Sequence, residues 1–225
     1  MIVTIDGPAG AGKSSIARQV ADRLGFEFLD TGAMYRAVTL GAIRAQVELE
    51  DGDALVEFAR GVTLKWNAHQ IFLNGDDVTN EIRSPTVTGA IRFLADLPEV
   101  RRQLSVQQRR IAKGRDIVTE GRDQGSDVFP DADCKIYLTA SAEERARRRQ
   151  QQLANMGRHM PLEDVLKAQD RRDAEDRSRP LGALRPAVDA IVIESDGMTS
   201  EEVLERTLQL IQEAIEAAKS KSAPG

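Results

Sequence analysis

Gly7-Pro8-Ala9-Gly10-Ala11-Gly12-Lys13-Ser14, close to the start of a 225-residue chain, decides the fold. The stretch matches G-x-x-x-x-G-K-[ST]. It is preceded by the apolar run Ile2-Val3-Thr4-Ile5 and followed by a helical pattern from about Lys13 to Leu24, which is the context the motif requires. The glycines let successive backbone amides turn toward phosphate oxygens, and the helix behind them presents its positive end. Lys13 is long enough to reach β- and γ-phosphates, and the Ser14 hydroxyl is a ligand for Mg²⁺. Ser15 completes the stretch assigned to nucleotide phosphates.

Working outward, short β-rich runs alternate with longer helical patterns. Phe26 to Leu29 reads as a second strand, leading through Asp30-Thr31-Gly32 into a helix over Ala33 to Arg44. Ile117-Val118-Thr119, Lys135 to Leu138 and Ile191-Val192-Ile193 read as later strands. Strands separated by helices predict an α/β fold, a three-layer architecture with a parallel central sheet and ligands at the carboxyl ends of its strands. Between about Val47 and Asp96 the rhythm breaks. There Val62 to Trp66 and Gln70 to Leu73 alternate like hairpin strands around Asn67-Ala68-His69, and a β-containing insertion is expected. Asp96 is expected to cap a helix that has Pro98 in its first turn and runs to about Lys113. Ser141 with Glu144 has capping-box spacing. A helix restarts at Pro161, and a last amphipathic one spans about Ser200 to Ala218, with residues 219–225 expected to be disordered.

Hydrophobic residues at 41% and charged residues at 30% describe an ordinary soluble protein, and no run of about 20 apolar residues suggests a membrane span. Met1 to Asp6 enters a strand directly, so a cytoplasmic protein without a leader is expected. The single cysteine, Cys134, excludes an intramolecular disulfide and a cysteine-based metal cluster, and reads as a buried strand thiol. A net charge of −5 argues against nucleic-acid binding, although arginines crowd between Arg145 and Arg185.

A phosphate loop alone does not choose among a kinase, a GTPase, a motor ATPase and a regulatory switch. The chain has no N-K-x-D guanine-reading motif. Its arginine-rich second half suits transfer between two anionic substrates, because charge in that transition state spreads over equatorial oxygens and must be neutralised.

Four further segments carry a resemblance: Asp30-Thr31-Gly32-Ala33-Met34-Tyr35-Arg36, Glu120-Gly121-Arg122-Asp123-Gln124-Gly125, Val128-Phe129-Pro130-Asp131-Ala132, and Arg172-Asp173-x-x-Asp176-x-x-Arg179. With the phosphate loop, and in this order, they resemble the bacterial cytidylate kinase family. The β-rich insertion near Val62 to Thr79 agrees. The resemblance implies a nucleoside monophosphate kinase fold. Residues 1–46, 97–144 and 181–218 would form its core, 47–96 an NMP-binding insertion, and 145–180 a short helical lid with its flanking helices. It implies ATP with Mg²⁺ as donor, CMP or dCMP as acceptor, and a monomer.

Carried over by position, Thr31 and Arg36 would meet the acceptor phosphate, with Tyr35 packed beside it. Arg101 and Asp123 would read the cytosine edge, while Arg122 would lie near the phosphates. Arg172 and Asp176 would hold the pentose, and Arg179 would touch phosphate in the closed state. Lys13, Arg122, Arg148, Arg149 and Arg179 are then the expected catalytic residues, with Ser14 and Glu120 organising Mg²⁺. A guanidinium donates to cytosine O2 and N3, and a carboxylate accepts from the exocyclic amine, so this pair would prefer cytosine to uracil. Arg92 stands where the family often has a small hydroxyl residue near the base, and would either displace that contact or bind phosphate. Gly182-Ala183-Leu184 stands in place of Ala-Pro-Leu.

Blander readings remain beside these. Tyr35 with Arg36 also reads as a helix-surface pair, Arg122 with Asp123 as an ion pair within a turn, and Glu120 as a strand-end surface residue. Arg145 and Arg147 read as a solvated helix face, and His69 and His159 as surface residues. A kinase for UMP or another small acceptor, and a non-catalytic nucleotide-sensing module, are the rival functions.

Overall fold

A computed structural model describes residues 1–67 and 70–222. The chain divides into two compact units, Met1–Phe26 with Ile117–Gly225, and Glu27–Asp116.

In the first unit, β1 (Ile2–Asp6) pairs in parallel with β6 (Ile117–Gly121) on one side and with β7 (Cys134–Thr139) on the other, and β8 (Ile191–Glu194) continues the sheet beyond β7. Val3, Ile5, Ile117, Val118, Ile136 and Leu138 are buried, the near-continuous apolar pattern of strands covered on both faces. β6 and β7 follow each other along the chain yet flank β1 on opposite sides, so the sheet changes direction at β1, and the crevice outside its carboxyl end is where ligands bind in such folds. The phosphate loop lies there. Gly7 allows it to leave the strand: with φ 146°, a Cβ at this position would stand 2.0 Å from the Leu138 carbonyl oxygen. Helix α1 (Lys13–Leu24) follows, and its N-cap, Gly12, makes no side-chain cap hydrogen bond, which leaves amides for a ligand.

The second unit opens with β2 (Glu27–Asp30) and α2 (Thr31–Arg44), followed by α3 (Gly52–Arg60). An antiparallel three-stranded sheet comes next, β3 (Leu64–Asn67), β4 (Gln70–Leu73) and β5 (Asp76–Asp77). The unit ends with α4 (Pro85–Ala95) and α5 (Pro98–Ala112). Asn74 at φ 52° and Gly75 at φ 102° make the tight Asn-Gly connection between β4 and β5. Met34, Leu55, Ile71, Ile82, Leu94 and Leu104 form the buried centre.

The expected insertion, 47–96, falls inside this second unit, which also takes in β2, α2 and α5. It is more helical than its strand pattern suggested. Asp51 caps α3 by accepting from Ala54 N at 2.9 Å, and Ser84 caps α4 with Pro85 behind it. Asp96 is not the cap of α5. It closes α4, and Leu97, without a side-chain cap, precedes Pro98. His69 lies outside the described residues.

Back in the first unit, α6 (Ala142–Asn155) and α7 (Leu162–Ser178) form a helical hairpin. Half of the capping box expected for α6 is present. Ser141 Oγ accepts from Glu144 N, but Ser141 N donates to Asp196, and the Glu144 carboxylate turns to Arg148 instead. Helix α8 spans Ser200–Ser222, so residues 219–222 of the expected disordered tail are helical, and 223–225 lie outside the described residues. No helix among the described residues is long and apolar enough to cross a membrane.

Candidate active site

The first unit gathers most of the assigned residues around the loop after β1. Lys13 is 5% exposed, and its Nζ donates to Pro8 O at 2.8 Å, so the lysine folds across its own loop. Burial above all, then the positive charges of Arg122 and Arg172, lower its pKa from 10.5 to about 7, against Glu120 and Asp6. Ser14 Oγ donates to Glu120 Oε1 at 2.9 Å.

Beyond β6, Arg122 Nε donates to Asp176 Oδ2 at 2.8 Å, and Arg179 meets Asp176 Oδ1 at 2.7 Å. Burial works against the charge on Arg122, but Asp176, Glu120 and Asp173 outweigh it and raise its pKa. For Asp176 burial is likewise overcome, here by Arg122 and Arg179, and its carboxyl is held below the usual range. Arg172 and Arg149 add their charge to this cluster. Arg122, Arg149, Arg172 and Arg179 outnumber Asp176, Glu120 and Asp173, the three carboxylates that act on Arg122, and the excess of positive charge is suited to a phosphoryl group.

In the second unit Asp30 caps α2, accepting from Ala33 N at 2.8 Å. Arg36 reaches the same carboxylate at 3.4 Å and Arg83 at 3.7 Å, both long for charged pairs. A helix N-terminus with two guanidinium groups and buried Thr31 is suited to an anion. Tyr35 is buried, and the Arg101 guanidinium lies 5.4 Å from its ring centroid while Nη1 donates to Ala95 O at 3.0 Å. Tyr35 is therefore not part of a helix-surface pair.

Against this geometry, the family model for cytidylate kinase matches residues 3–213. A cytidylate kinase of Rhodopirellula baltica is 60% identical over 99% of this chain and 97% of its own. The chain belongs to the cytidylate kinase family. A cytidylate kinase of Caldanaerobacter subterraneus is 45% identical over 93% of this chain and 94% of its own. A solved structure of an uncharacterized protein from Eubacterium ventriosum overlays with TM-score 0.52 at 10% identity, over 95% of this chain and 98% of that one, a likeness of fold alone.

The cytidylate kinase fold here brings together Lys13, Ser14, Glu120, Arg122, Arg172, Asp176 and Arg179 within one unit. It engages other expected residues differently. Arg148 donates to Glu144, Ser195 Oγ and Ser195 O, which ties α6 to the segment after β8, and Arg149 is exposed and bonded to Gln152. Arg92 is exposed, 5.0 Å over Phe93, in a cavity lined by Leu49, Glu50 and Leu97 that shares no residue with the Tyr35–Arg101 pair. Arg147 is solvated, as expected, but Arg145 is not: it is 5% exposed, and its Nη1 donates to Asp173 Oδ2 at 2.7 Å and to Ala9 O at 2.9 Å. Asp173 also accepts from Ala9 N at 3.3 Å, so the pair holds both backbone polar groups of Ala9 in the kinase's phosphate loop. Sequence reading missed this role of Arg145 and Asp173, as well as Arg83 and Asp6. The signal for Asp173 was available in the register of α7, where Asp173 and Asp176 share one buried face.

For Mg²⁺, a hydroxyl and a carboxylate within hydrogen-bond reach at the loop form a hard, oxygen-only donor pair that fits an ion keeping several waters and phosphate oxygens. Among the described residues no cluster of three carboxylate, imidazole or thiolate groups suits a softer metal.

Proposed function

We propose that the protein transfers the γ-phosphoryl group of Mg²⁺-ATP to CMP or dCMP, giving ADP and CDP or dCDP. The observation that carries this reading is electrostatic. Lys13 of the phosphate loop feels Arg122 and Arg172, so the cation for the donor and the cations for a second anion share one field. Lys13, Arg122 and Arg179 neutralise the charge that spreads over the transferring group, and Arg149 joins them as the hairpin of α6 and α7 closes as a lid over residues 145–180. Thr31 and Arg36 receive the acceptor phosphate, Tyr35 packs beside it, and Arg172 and Asp176 take the pentose. Arg101 and Asp123 read the cytosine edge, and both are buried enough for an unpaired partner to be costly. Ser14 and Glu120 would hold Mg²⁺, which would supply positive charge to the phosphates of the donor. The acceptor is already an oxyanion, so no general base is needed, and the lid's work is to exclude water. The reading is of a cytoplasmic monomer acting on small molecules, with neither nucleic acid nor membrane as partner.

The test is ADP release with Mg²⁺-ATP and, separately, CMP, dCMP, UMP and AMP. Rapid release with CMP and little with UMP is expected, and release independent of acceptor would overturn the kinase reading. Lys13→Met should lower kcat on the order of 100-fold or more, and a variant that formed CDP at the normal rate would end the scheme. Asp123→Asn should cut the preference for CMP over UMP by about 100-fold, the worth of one buried charged hydrogen bond.

A further inference from the structure

Asp6, the last residue of β1, is 3% exposed and directly precedes the phosphate loop, yet it makes no ion pair within hydrogen-bond reach among the described residues. Its two oxygens are used on successive backbone amides of another segment: Oδ1 accepts from Gln124 N at 2.9 Å and Oδ2 from Gly125 N at 2.7 Å. These amides belong to the single π-helical turn Gln124–Val128, whose N-cap is Asp123 and which Arg122 precedes. The turn is fitted closely to the sheet. Thr119 Oγ1 donates to Gln124 Oε1 at 3.1 Å, and a Cβ on Gly125 would stand 2.8 Å from Thr4 Oγ1 and 3.3 Å from Lys135.

A carboxyl group buried without a bonded cation is a costly way to fill space, and an apolar side chain would pack there at less expense. The charges that face it are the carboxylate of Asp123 and the ammonium of Lys13, and the latter donates to Pro8 O instead. What the carboxylate alone provides is two acceptors at fixed spacing, which set both the position and the orientation of the turn.

We propose that Asp6 is a positioning residue for acceptor selection: by clamping the Gln124 and Gly125 amides it fixes the turn that presents Arg122 and Asp123, and so couples the donor loop to base discrimination. The inference rests on the reading that Asp123 recognises the cytosine amine. Asp6 touches no substrate, and its effect travels through the turn.

The experiment compares kcat/KM for CMP and UMP in the wild type, Asp123→Asn, Asp6→Asn, Gly125→Ala and the double variant Asp6→Asn/Asp123→Asn, with circular dichroism and thermal midpoint as checks of folding. Asp6→Asn turns one acceptor into a donor, whereas Gly125→Ala displaces the same turn by contact with Thr4 and Lys135 and leaves Asp6 intact. Each should lower the CMP-to-UMP ratio by about 10-fold or more, and the double variant should lose little beyond Asp123→Asn alone, because the two residues act in series. If Asp6→Asn does not fold, Gly125→Ala decides. A ratio lost in Asp123→Asn but kept in folded Asp6→Asn and Gly125→Ala overturns the proposal while leaving the base-reading assignment standing. A ratio kept in Asp123→Asn removes that assignment, and the proposal with it.

Discussion

Cys134 lies in β7, 4% exposed, and burial together with nearby Asp133 pushes its thiol up to about 11 from 9.0. Two units less thiolate means labelling by a thiol reagent about 100-fold slower than for an ordinary cysteine at mildly alkaline pH. The expected result is slow modification of the native protein and rapid modification in strong denaturant, read by absorbance. Residue identity announced much of the site. The phosphate loop is legible because glycines and a lysine at that spacing suit an amide cradle, whereas Arg122, Arg172, Asp176 and Arg179 were legible through the family resemblance of their segments and not through their charge alone. Asp6 was not legible, because an aspartate at the end of a strand is chemically unremarkable until its backbone partners, 118 and 119 positions away, are known. Arg145 was misread for a similar reason. Among Arg145, Arg147, Arg148 and Arg149 the sequence gives four like charges, and only packing separates the one that faces inward.

That inward residue sets the prediction at the scale of elements. The Arg145–Asp173 pair joins α6, α7 and the phosphate loop through Ala9, and Gln169 Nε2 adds a bond to Arg145 O at 3.3 Å. Removing one partner leaves a buried charge uncompensated, so Arg145→Met should cost about 3–5 kcal/mol in urea unfolding. Arg145→Met with Asp173→Leu should recover much of that loss while the KM for ATP stays raised, since the apolar pair packs but cannot hold the Ala9 peptide. Restoration of both stability and ATP binding would show that the pair is only packing. Elements were legible where a period persisted: β1, α1, β6, β7 and α8 follow from runs long enough to show one. Helices α3 and α4 were obscured by the hairpin alternation beside them, although the caps Asp51 and Ser84 and the buried spacing of Leu55, Val56 and Ala59 were present in the sequence. The first strand also hid a constraint no periodicity shows, its close approach to Leu138 at Gly7.

For the whole molecule, two groups at the site oppose each other in pH. Asp6 is raised from 3.8 to about 7, chiefly by burial, against the Gly125 and Gln124 amides. The folded protein therefore holds a proton that the unfolded chain has released, and stability from this group, full below about 4, is lost as pH rises to about 7. Lys13 is lowered from 10.5 to about 7, so between these values the unfolded chain binds the extra proton and stability rises with pH. The two contributions meet in a minimum near neutral pH in the free protein. Lys13→Met should accordingly stabilise the fold by a few kcal/mol at neutral pH, with the gain shrinking toward pH 10.5, measured by urea unfolding across the range. A gain independent of pH would show that the lysine is not strained by its burial. The pairing of Ile2 with Ile117 has its consequence in time. The second unit is one unbroken stretch, whereas β1 is made first and must wait about 115 residues for β6 and longer for β7. At ribosomal speeds that is roughly 6 to 23 s during which an apolar strand has no sheet to join. A nascent chain can thus complete its second unit while the phosphate loop is still without walls, and the first residues synthesised are among the last to find their place.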